Sequence, residues 1–131
     1  MSARCLALAL SAASLTATSC GGTSDKDAVE SALKTYLNGL SQHDGQKVCS
    51  VVGSQYVEFF KRATDTGAAT CPEAFEAATG DDDYSDFGKN VITSIEVDGD
   101  RATMETKEPD GGTGKYKALK LSGKWKLVPP S

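Results

Sequence analysis

The chain has 131 residues, 39% of them hydrophobic and 7% aromatic, with a formal charge of −4; that is enough for one domain with a modest core and too apolar for wholesale disorder. Acidic side chains outnumber basic ones and the lysines are scattered, so there is no electrostatic footprint for nucleic acid and that partner is disfavoured. Outside the first 19 residues no apolar run approaches the ~18 residues that a membrane-spanning helix needs.

Met1-Ser2-Ala3-Arg4 supplies one positive charge, and Cys5 to Leu15 is apolar apart from Ser11 and Ser14. The small residues Thr16, Ala17, Thr18 and Ser19 then lead into Cys20-Gly21-Gly22. A charged start, a short apolar middle and a small-residue end make a secretory signal rather than a transmembrane helix. The segment resembles the leader of a bacterial lipoprotein precursor, whose lipobox ends in small-small-Cys. Ala17-Thr18-Ser19-Cys20 fits the last three places, with Ala where that family has Leu or another branched apolar residue. Ala17 and Ser19 also satisfy the small-x-small rule of ordinary signal peptidase. Both readings cut before Cys20. The resemblance implies lipid on the Cys20 sulfur and an N-terminus anchored in the membrane by two or three acyl chains, which hold stably; the alternative is a secreted protein with a free thiol. Without Arg4 the mature part has 13 basic and 18 acidic side chains, a formal charge of −5.

Cys5 leaves with the leader and Cys20 takes lipid, so Cys49 and Cys71 remain. Outside the cytoplasm an even pair reads as a disulfide, and on chain-entropy grounds closing that loop contributes about 3 kcal/mol. A metal pair is disfavoured because His43 is the sole histidine and no close Cys-x-x-Cys spacing exists. A cysteine nucleophile would need its partner left unbridged in an oxidising compartment.

Residues 20–24 form a short tether and residues 25–131 a single domain. Ser24 or Asp25 caps a helix in which Val29, Leu33, Tyr36, Leu37 and Leu40 recur at helical spacing. His43-Asp44-Gly45 breaks it, and Asp44 caps a short second helix with Val48, Val51 and Val52 on one face. Gly53-Ser54 starts a third, aromatic segment carrying Tyr56, Val57, Phe59 and Phe60, and Thr64 to Thr70 is a loop. Thr70-Cys71-Pro72-Glu73 opens a fourth, with Pro in the first turn and Glu placed for a capping box.

After Gly80 comes the acidic loop Asp81 to Asp86, and from Val91 the period becomes alternating. Val91, Thr93, Ile95 and Val97 face one way in the first strand, with Ser94 and Glu96 opposite. Asp98-Gly99-Asp100 is a hairpin signal. Ala102, Met104 and Thr106 alternate on the return strand, Pro109 to Gly112 is a second turn, and Tyr116, Ala118 and Lys120 alternate in a third strand. Ser122-Gly123 leads into Lys124 to Val128, which Pro129-Pro130 ends.

Helices followed by an antiparallel meander make an α+β domain, with the helices packed on one face of a curved sheet of about four strands. This order resembles the small exported members of the nuclear transport factor 2-like superfamily, a cone of curved sheet wrapped round helices. The resemblance is carried by Tyr36-Leu37-Asn38-Gly39-Leu40, His43-Asp44-Gly45, Val48-Cys49, Cys71, Val97 to Ala102, and Gly123-Lys124-Trp125-Lys126-Leu127. A two-layer sandwich of another topology is the alternative.

Members of that superfamily with isomerase, dehydratase or cyclase activity are implied to hold an Asp or His general base inside the cone. Here His43 reads as a solvated turn residue, and Glu96 and Glu105 fall on the polar alternation. No catalytic residue is assigned and no cofactor is expected. Asp81 to Asp86 lacks the Gly and distal Glu of a calcium loop, so no metal is expected there. Tyr36, Tyr56, Phe59, Phe60 and Trp125 are the candidates to line a pocket for a small apolar ligand, although aromatics at helical spacing also serve as plain core. Lys115, Lys117, Lys120, Lys124 and Lys126 make the last hairpin locally basic, suited to anionic lipid head groups or wall polymer, or to keeping an edge strand soluble. The expected function is a non-enzymatic binding or interaction role in the cell envelope, toward an apolar ligand or an envelope protein. The alternatives are a small cone-shaped enzyme and a secreted, non-lipidated structural partner domain.

Overall fold

The computed structural model describes residues 24–65 and 67–130. The leader and Cys20, with the readings made of them, lie outside the described residues.

Helix α1 spans Asp25–Ser41. The Ser24 hydroxyl accepts from the Asp27 N–H at 3.1 Å, and Asp25 and Asp27 sit in the first turn, where the helix end favours negative charge. Its buried face carries the expected Val29, Leu33, Tyr36, Leu37 and Leu40. Asp44 accepts from the Lys47 N–H and opens α2, Gly45–Cys49. The two helices meet at Gly39, where a Cβ would lie 2.7 Å from Cγ2 of Val48. A side chain at that position would push α2 away.

Val51 and Val52 do not continue α2, as the apolar spacing had suggested. The chain leaves the helix after the C-cap Ser50: the Leu127 N–H donates to the Val51 carbonyl at 2.7 Å, and the Gly53 N–H to the Leu127 carbonyl at 2.8 Å. Val52 thereby forms a parallel bridge beside Leu127. A five-residue helix is marginal, and adjacent β-branched residues suit extended backbone. The open edge of the last strand supplies the hydrogen bonds that a longer helix would otherwise make.

Helix α3 spans Ser54–Thr64 and α4 spans Cys71–Thr79. Thr70 caps α4 by accepting from the Glu73 N–H at 3.3 Å, while Glu73 reaches back to the Ala69 N–H at 3.0 Å, one residue before the partner of an ordinary capping box. A 3₁₀ turn, Ser85–Lys89, follows.

Strands β1 (Val91–Asp98), β2 (Arg101–Lys107), β3 (Thr113–Leu121) and β4 (Lys124–Val128) form one antiparallel sheet in that order. The last turn places both Ser122 and Gly123 at positive φ, the requirement of a two-residue hairpin. Ala102, Met104, Thr106, Ala118, Trp125 and Leu127 face the helices and are buried.

The alternation expected for β1 holds only in its second half. A bulge between Ile92 and Ser94 shifts the register. Ile92, opposite Thr106, and Ile95, opposite Met104, therefore both face the helices. Val91 lies opposite Lys107 on the outer face and is 62% exposed. One extra residue reverses the phase of everything before it, which is why Val91 and Ile92 exchange the expected roles. Thr93 sits at the bulge and donates its hydroxyl to the Glu105 carbonyl at 3.2 Å.

The helices and the inner sheet face share one core, with Val29, Leu33, Val48, Phe75, Met104 and Leu127 fully buried. Among the described residues no helix is long and apolar enough to cross a membrane.

Candidate functional site

The side chains expected around a pocket divide into two groups. Tyr36 from α1, Tyr56 and Phe60 from α3 and Trp125 from β4 are each 6–7% exposed and belong to the core. Phe59 from α3 is 49% exposed. The split follows from helical phase: Tyr56 and Phe60 are four residues apart on the inward stripe, and Phe59 lies beside it.

Within the core the aromatics touch in sequence. Ring centroids are 6.1 Å apart for Tyr116 and Tyr36, 5.6 Å for Tyr36 and Tyr56, 5.5 Å for Tyr56 and Phe60, and 5.9 Å for Phe60 and Phe75. This chain of rings crosses from sheet to α4 and packs within the shared core. The Tyr36 hydroxyl donates to that of Tyr56 at 3.5 Å, a long bond. Burial raises the phenol of Tyr36 well above the ordinary tyrosine range, with the neighbouring Tyr56 adding to it, and burial also raises Tyr56 and Tyr116. Apart from tyrosines, the buried polar side chains among the described residues are Thr79 and Thr106. Thr79 donates to the Phe75 carbonyl at 2.8 Å. Neither is an acid or a base at neutral pH, so proton transfer inside the core would fall to the phenols, whose raised pKa keeps them neutral.

Phe59 opens onto a surface groove with Gln55, Arg62 and Ala63 of α3, Leu119 and Val128 of the sheet, and Pro129-Pro130. The groove, which Lys117 also lines, is mostly apolar and open to solvent.

Cys49 and Cys71 form the expected disulfide, with Cα atoms 6.0 Å apart. The bond ties the end of α2 to the first residue of α4. His43 stands at positive φ in the turn after α1. It is partly covered rather than simply solvated: its Nε2 lies 3.0 Å from a Glu76 carboxylate oxygen and its ring packs 5.6 Å from Phe75. In the acidic loop Asp83 accepts from the Ser85 N–H at 2.9 Å. That bond and its partner Ser85 hold the Asp83 carboxyl below the ordinary range. Among the described residues no group of three or more metal-ligating side chains comes together.

The lysines of the last hairpin do not form a single patch. Lys126 donates to the Ser50 carbonyl at 2.7 Å, and Lys120 points to the helix side and donates to Asp25 at 3.0 Å. The same Asp25 oxygen accepts from Nε1 of Trp125 at 3.1 Å. The Trp125 bond chiefly, then Lys120, lowers the Asp25 carboxyl below its ordinary value. This junction, which fastens the first helical residue to β3 and β4, has no signature in the sequence. Its partners are 95 and 100 residues apart, and only the pairing of Lys120 with Trp125 across the hairpin puts both donors in reach of one carboxylate.

Comparison with family models, curated proteins and solved structures gives no match for this chain.

Proposed function

We propose that the chain is an exported lipoprotein of the cell envelope, with a nuclear transport factor 2-like domain that acts through its surface rather than on a substrate held inside. The observation that carries this reading is the Cys49–Cys71 disulfide, since such bonds persist outside the cytoplasm, where the leader directs the chain. The cone assignment draws support from the chain order, helices first and then a meander covered on one face. The aromatic chain through Tyr36, Tyr56 and Phe60 favours surface contact over an interior ligand. It equally disfavours the isomerase or dehydratase alternative, which needs an acid or base within the core.

Fractionation of producing cells tests the anchor. The wild-type protein is expected in the membrane fraction and a Cys20→Ser variant in the soluble one. Equal membrane retention of both would refute lipid on Cys20, and a wild-type protein already soluble would favour the secreted alternative. Native mass spectrometry of the purified domain belongs to the same test: a retained small molecule would overturn the surface reading.

A further inference from the structure

We infer that the anchored domain rests on the bilayer through its β3–β4 hairpin end, with Leu121 and Lys124 against the lipid head groups. The inference depends on the lipid anchor proposed above and adds an orientation to it. Four residue steps separate Cys20 from the helix cap Ser24, and an extended chain covers at most about 14 Å in four steps. Directly after that cap, Asp25 is held by Trp125 and Lys120, so the tether ends at the β3–β4 turn and not at a free helix end. The lipid therefore holds this end within a short distance of the membrane, close to the ~8–10 Å over which charges act at ordinary salt.

The sheet is charged to suit that placement. Besides Lys120, held on Asp25, and Lys126, held on the Ser50 carbonyl, β3 and β4 carry Lys117 and Lys124, with Lys115 opposite Glu105 toward the far turn, and no acidic residue. By contrast, β1 carries Glu96 and Asp98 and no basic residue. The acidic turn Asp98 to Asp100 shares this end, since the Lys120 N–H donates to the Asp100 carbonyl. An anionic surface therefore tilts the domain, bringing the β4 edge down and lifting β1. At the turn itself Leu121 is 40% exposed, an apolar tip beside Lys124, the pairing that interfacial segments use. The acidic turn at Asp110 joins β2 to β3 at the opposite end of the sheet.

The mature chain beginning at Cys20 tests this when a maleimide lipid is coupled to Cys20, because the orientation is then examined whether or not cells acylate that residue. With Cys49 and Cys71 bridged, Cys20 is its one free thiol. Amide hydrogen exchange is compared between uncoupled protein in solution and coupled protein on vesicles of phosphatidylethanolamine with one-third phosphatidylglycerol. The expected result is a several-fold slowing of exchange over residues 121–124 and none over residues 108–112 at the opposite turn. A Leu121→Ser, Lys124→Glu variant should remain on the vesicles through its lipid and lose that slowing. Equal exchange at 121–124 on and off the vesicles would overturn the inference. So would slowing that appears without vesicles and grows with protein concentration, which would assign the surface to a second copy of the chain.

Discussion

At the scale of single residues, the buried tyrosines show what spacing can and cannot convey. Tyr36 and Tyr56 fall on apolar stripes, so their burial was readable. Whether they would line a cavity or fill one depended on Phe75 and Tyr116 arriving from two other elements, α4 and β3, and no local pattern records that meeting. The phenols give a testable consequence. The folded-state pKa of Tyr36 is raised, so its contribution to stability is complete below the unfolded value of about 10 and is lost as pH rises from there through the folded value. The urea midpoint of the wild-type protein should therefore fall as pH passes about 10, and a Tyr36→Phe variant should fall less steeply. Phenolate absorbance from Tyr36 should appear only as the protein unfolds. Identical pH slopes in the two proteins would show that Tyr36 titrates freely in the fold.

Among the elements, those with strong local signals were found where the sequence put them. Ser24, Asp44 and Thr70 each accept the hydrogen bond of a helix cap, because a cap is a contact over three residues. The β1 bulge and the Val51–Gly53 strap were not readable, since both are set by a partner strand distant in sequence. The disulfide belongs to the first kind: the cysteine count implied the bond, and the helix patterns already placed Cys49 beside the second helix and Cys71 at the start of the fourth. It closes a loop between positions 22 apart and spans α3, so its removal frees α2 and α4 from each other in the unfolded chain. Replacing both Cys49 and Cys71 by Ser should cost about 3 kcal/mol, read as a lower urea midpoint, and reductant should move the wild-type midpoint by the same amount. A midpoint insensitive to both would mean that the bond is not formed in the folded protein.

For the molecule as a whole, the order of helices and strands implied two layers, and the two layers are present. What that order could not convey is how firmly they are joined. Leu127 is the place to ask. Its side chain is fully buried in the shared core, and its N–H and carbonyl bond Val51 and Gly53, the segment that links α2 to α3. A single residue of β4 thus connects the sheet to the helical layer by both packing and backbone. If the layers stand or fall together, Leu127→Ala should lower stability by about 2–5 kcal/mol, and the helical and aromatic circular-dichroism signals should still be lost in one coincident urea transition. Val91→Ala, at an outward and exposed position, should change stability by no more than about 0.5 kcal/mol. Separate transitions for the two signals would mean instead that the helices hold one another through α1, α4 and the disulfide. The sheet would then be an independent layer laid against them, and Leu127 its weakest link rather than the centre of the fold.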